Sequence, residues 1–107
     1  ENEAAGFWPV YDVYQDELFL LRARTLSLIS DYADALGRMD EATARKLLDE
    51  FMTIKVLDVA LRQSYLSEFR HVLPEVKVAR YYQIENKIEA ALMYELAKGI
   101  PLIQGHE

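Results

Sequence analysis

The densest grouping of chemically able side chains is Glu68-Phe69-Arg70-His71, a Glu-x-x-His run whose two ends share a helical face. Helical proteins that hold paired metal ions use this motif twice, with two further glutamates. Here the one other histidine is His106, near the end of the chain. Glu68 and His71 are therefore the candidate metal ligands, and the competing role for His71 is a helix C-terminus, where the dipole favours its charged form. Glu85 and Glu89 lie four residues apart and could share a cation, although like-charged pairs at that spacing more often stand on a solvated face. No cofactor is expected.

Nucleophilic chemistry finds little support. A Ser-His-Asp set would have to be built around a single internal histidine. The chain has no cysteine, which removes thiolate nucleophiles, disulfides and cysteine-based zinc sites. The four glycines, Gly6, Gly37, Gly99 and Gly105, form no phosphate-binding loop and read as punctuation. Enzymatic activity is not expected.

The seven tyrosines carry more information. A tyrosine pairs an apolar ring with a polar tip, which suits a surface that is wet in one state and covered in another. Most would serve as well at the edge of a core. Tyr81 and Tyr82 are adjacent, so on a helix they point about 100° apart. They cannot both face the same neighbour, and one is expected to meet a loop, a second subunit or a client. Tyr65, Phe69, Tyr81, Tyr82, Tyr94 and Trp8 are the candidate protein-binding residues.

Three helices must position these side chains. The first is expected over about 10–36, after a lead-in segment over 1–8 whose Phe7 and Trp8 cap one end of the core. Pro9 can open it. Tyr11, Tyr14, Leu18, Leu21, Thr25, Leu28, Tyr32 and Ala35 alternate three and four apart, a heptad seam that predicts close packing at a shallow angle. Phe19, Leu26, Ile29, Ala33 and Leu36 widen it. Gly37 ends the helix, and a short connection with Asp40 as N-cap starts the second, over 41–72. That helix carries Ala44, Leu47, Phe51, Ile54, Leu61 and Tyr65 on one face, with Leu48, Met52, Val59, Leu66 and Phe69 on another. Asp58 should pair with Arg62 four residues on.

Leu73-Pro74 ends the second helix and begins a third over 75–98. Glu75 and Lys98 match its dipole, and Gly99, free to turn left-handed, stops it before Pro101. Its apolar stripe is Val78, Tyr81, Ile84, Ile88, Ala91 and Leu92. The tail over 99–107, with Ile100, Leu102 and Ile103, is expected to fold back over the end of the bundle.

The fold class is thus all-α, one domain of 107 residues with three long antiparallel helices in a bundle or cradle. Stripes on more than one face of each helix exceed what three helices can cover, so a homodimer or an exposed groove is expected. A formal net charge of −6 argues against nucleic acid as a partner. No apolar run approaches the length of a membrane span. Beginning at Glu1 with ENEAAG, the chain could be the trimmed product of an exported precursor.

The segment VLPEVKVARYYQIE resembles the small periplasmic helical stress proteins of the Spy/CpxP-like group. It is also similar to small exported proteobacterial proteins with a Leu-Pro-x-x-Lys helix start, a Tyr-Gln-Ile-Glu-Asn-Lys core and an Ile-Pro-Leu tail. Those elements are here Leu73, Pro74 and Lys77, then Tyr82 to Lys87, then Ile100 to Leu102. Where Spy-like proteins carry Leu-Thr-x-x-Gln, this chain has Met39 to Thr43 and Leu73 to Lys77. The resemblance implies a cradle-like periplasmic dimer acting as an ATP-independent chaperone, or as the inhibitory partner of an envelope-stress sensor. The residues leave metal binding or sensing through Glu68 and His71 as a third expectation.

Overall fold

The structure is a computed structural model, and it describes residues 2–100. Helix α1 spans Asn2–Ala35, a 3-10 turn Leu36–Arg38 follows, and α2 and α3 span Glu41–Val72 and Glu75–Lys98. The all-α class expected from the sequence is what the chain adopts, with no strand among the described residues. No helix among them is long and apolar enough to cross a membrane.

Both helix starts after the first are set by local chemistry. Asp40 sits in extended backbone and its carboxylate accepts from the Thr43 N–H at 2.8 Å, satisfying one donor that a helix start leaves open. Those bonds to Thr43 hold the Asp40 carboxyl below the usual carboxylate range. Leu73 is extended, as the residue before a proline must be, and the Pro74 carbonyl accepts from Lys77 and Val78 N–H groups, each at 3.0 Å.

Three local expectations are corrected. The lead-in over 1–8 is not a separate segment, because α1 begins at Asn2 and continues through Pro9. Packing explains how an internal proline survives there: the Phe7 ring lies 5.7 Å from Phe69 and 5.6 Å from Tyr81, tying the first turns to both other helices. Gly6 is more than punctuation, since a Cβ at that position would come within 3.1 Å of Val72. Gly99 closes α3 with φ −94°, so it never uses the left-handed region.

Successive helices run antiparallel, which leaves α1 and α3 parallel, with Gln15 opposite Tyr81 and Arg22 opposite Glu89. The backbones of α1 and α2 lie close together, whereas α1 and α3 have no Cα atoms within 8 Å of each other. Long side chains bridge that wider seam. The heptad residues of α1 all turn inward, with Tyr14, Leu18 and Ala35 buried and the other five half-buried. Tyr14, Leu18, Phe69 and Val78 form the central cluster, ringed by Phe7, Tyr11, Tyr65, Tyr81 and Tyr82 among others.

Helix α3 departs from its expected register. Val78 and Tyr81 turn inward as the stripe requires, but Ile84, Ile88 and Leu92 are 50%, 55% and 45% exposed. The inward face continues instead through Glu85, Glu89, Met93 and Leu96. Glu85, Glu89 and Met93 each follow a stripe residue by one position, a step of about 100° around the helix.

Candidate functional site

A carboxylate at the centre explains that rotation. Glu85 is 6% exposed, and a buried carboxylate is tolerated only when paired and fully hydrogen-bonded. Tyr14 of α1 donates to its Oε1 at 2.7 Å, Arg62 Nη1 of α2 donates to the same oxygen at 2.8 Å, and Tyr81 donates to Oε2 at 3.2 Å. All three helices therefore meet on one side chain. Around it, Arg62 Nε reaches Asp58 at 3.2 Å, which is the expected i,i+4 pair, and Arg22 Nη2 reaches Glu89 at 2.9 Å. Gln15 donates to the Tyr81 hydroxyl at 3.3 Å, and the Tyr82 hydroxyl donates to the Arg62 carbonyl at 2.9 Å. The sequence reading placed Glu85 and Glu89 on a solvated face, and the structure corrects it.

The cluster keeps its protons. Burial, reinforced by the bond to Glu85, pushes the Tyr14 phenol far above its ordinary value. Burial and the Glu85 charge do the same to Tyr81, and burial pushes Tyr82 up to about 12. These groups are donors fixed in place, and the arrangement acts as a polar lock between helices.

The adjacent tyrosines were expected to face different neighbours, but both rings meet Phe69 of α2, Tyr81 at 4.9 Å and Tyr82 at 6.0 Å. Tyr81 packs also against Phe7 and Tyr11 of α1, and only the hydroxyls part, that of Tyr81 toward Gln15 of α1 and that of Tyr82 toward the Arg62 carbonyl of α2. Both partners belong to this chain, because α3 lies against two helices at once. The other candidate protein-binding residues are scattered. Phe69 is fully buried, Trp8 and Tyr94 are 53% and 65% exposed, and the half-buried Tyr65 donates to Glu17 at 2.7 Å. That bond pushes the Tyr65 phenol up to about 12. Lys98 Nζ stands 5.3 Å over the Tyr94 ring. Glu68 and His71 are both exposed, and among the described residues no three His, Cys, Asp or Glu side chains are placed so that they could hold a metal ion. His106 and the expected folding back of Leu102 and Ile103 lie outside the described residues.

The surface also carries many large apolar side chains. Among the described residues six hydrophobic side chains are buried, against sixteen large ones that are exposed, so the surplus inferred from the stripes is a property of the folded chain. One band follows the α1–α3 seam. Phe19 and Leu26 stand four residues beyond the seam residues Gln15 and Arg22, hence on the same face of α1. Ile84, Ile88 and Leu92 share the Tyr81 face of α3, and Trp8 and Ile84 line a common hollow with Tyr81. No signal in the α3 pattern marked this band as exposed, because its spacing is that of a core stripe.

Compared with known proteins, the chain matches no family model, no curated protein and no solved structure.

Proposed function

We propose that this is a non-enzymatic helical protein that binds other proteins through the apolar band of Trp8, Phe19, Leu26, Ile84, Ile88 and Leu92, with the Tyr81 ring at its edge. It acts as a chaperone for unfolding clients in the bacterial periplasm. The observation that carries this reading is the exposure of Phe19 at 68%, Leu26 at 55% and Ile88 at 55% along one seam. Contiguous apolar surface of this kind marks protein-binding sites. The likeness of Val72 to Glu85 to the Spy/CpxP-like stress proteins supports the compartment and the client class, and the apolar surplus fits a homodimer.

The test is aggregation of an unfolding client at an equimolar ratio. The wild-type chain should slow it, and the double variant Phe19→Ser, Ile88→Ser should not. A client that aggregates unchanged beside the wild-type protein rejects the chaperone role. Pull-down from a periplasmic extract separates this from regulation, since a chaperone brings many proteins and a sensor's partner brings one.

A further inference from the structure

At the end of the molecule away from the aromatic cluster, the three helices line an open groove of about 470 Å³. Its walls include Leu28 and Ile29 of α1, Leu47 and Phe51 of α2, Leu96 of α3, and Ile100 just past its end. The volume falls in the range typical of small-molecule sites, and so does the composition, mostly apolar with a few polar groups. None of these residues belongs to the α1–α3 band. Lys55 is the single charged residue lining the groove. Its Nζ stands 5.5 Å over the Phe51 ring, and no carboxylate pairs with it among the described residues.

Lys55 also lines a smaller cavity of about 90 Å³ that continues inward from the groove past Leu18, Leu21 and Ile54. Arg22 lines that inner cavity too, and its Nε is buried without a hydrogen-bond partner. Asp58 and Glu89, the acids on the same wall, are engaged by Arg62 and Arg22. The groove thus presents an unpaired ammonium at one end of an apolar trough, and the wall of the inner cavity that shares Lys55 holds an unsatisfied guanidinium donor.

We propose that the groove binds a single-chain fatty acid, its carboxylate at Lys55 and its alkyl tail lying along α2 toward Ala44. One ammonium matches one carboxylate charge, whereas a phosphate head would call for several charge-assisted donors. From Lys55 to Ala44 the helix advances about 16 Å, and an extended chain covers about 1.2 Å per bond. The trough therefore suits a tail of roughly a dozen carbons.

Calorimetric titration of the purified chain with dodecanoate tests this, with dodecyltrimethylammonium as a ligand of equal tail and opposite charge. Dodecanoate should bind with a micromolar Kd and the cationic ligand about tenfold more weakly. Lys55→Met should weaken dodecanoate about tenfold, and Ala97→Trp, which fills the groove from α3, should abolish binding while the helical circular dichroism is unchanged. Equal affinity for the two head groups, or indifference to Ala97→Trp, would reveal adsorption to exposed apolar surface and overturn the proposal. So would absence of binding, or a dimer that Ala97→Trp splits while dodecanoate stays unbound, since the groove would then belong to a second copy.

Discussion

Glu85 is bonded by Tyr14, Tyr81 and Arg62 from three helices, and each of those partners is itself at least half-buried. Breaking such a pair strands a charge, whereas removing both partners does not. Glu85→Gln should therefore lower stability by about 2–3 kcal/mol, read as a fall in the urea midpoint. The triple variant Glu85→Leu, Arg62→Met, Tyr14→Phe, which also removes the buried hydroxyl that donates to Glu85, should recover most of that loss. A triple variant no more stable than Glu85→Gln would show that the lock is worth more than the apolar packing that could replace it. The phenols supply a second prediction. Tyr14, Tyr65, Tyr81 and Tyr82 all titrate above the ordinary value of 10.0 in the folded chain. In the unfolded chain they lose protons near that value, so above it the unfolded state binds fewer protons and stability falls as pH rises. Their contribution is complete below about pH 10 and declines through about pH 12 and beyond. The tyrosinate absorbance that is lost when Tyr14, Tyr65, Tyr81 or Tyr82 is replaced by phenylalanine should appear together with loss of helicity on alkaline titration, not before it.

At the scale of elements, α1 and α2 were legible because their seams are apolar and their ends are marked. The eight heptad positions of α1 turn inward, and Asp40 caps α2 as its side chain suggested. The start of α1 was misjudged because Pro9 favours a helix opening, while the contacts of Phe7 that carry the helix past it come from residues more than sixty positions away. Helix α3 was legible in its ends and not in its rotation. Periodicity ranks apolar residues inward, and it carries no information on which acid a distant tyrosine and arginine will claim. The rotation makes a contrast that can be measured. Ile88→Ser should change stability by no more than about 0.5 kcal/mol. Val78→Ala, at a site 2% exposed, should cost about 2 kcal/mol. Similar losses at the two positions would place the apolar stripe, and not Glu85, against the other helices.

The whole molecule is long and thin, 60 × 22 × 18 Å with a radius of gyration of 17.5 Å, against about 13 Å for a compact chain of this length. Such a shape cannot enclose a large core, and the fully buried side chains Tyr14, Leu18, Phe69 and Val78 gather toward one end. The other end is held open around the groove. Local stability follows the density of buried contacts, so amide exchange should be slowest near Tyr14, Phe69 and Val78. It should be faster in α1 beyond Leu28, in α2 before Phe51 and in the last turns of α3. Uniform protection along all three helices would contradict this division.

Local sequence was sufficient for the three helices, their antiparallel order and the excess of apolar side chains, because caps, prolines and heptad spacing act within a few residues of themselves. The facing of α3, the burial of Glu85, the meeting of both adjacent tyrosines on Phe69 and the groove at Lys55 were decided by the tertiary structure. Each depends on groups well separated in the sequence finding one another, and a buried carboxylate must follow its partners even when that turns isoleucines to the solvent.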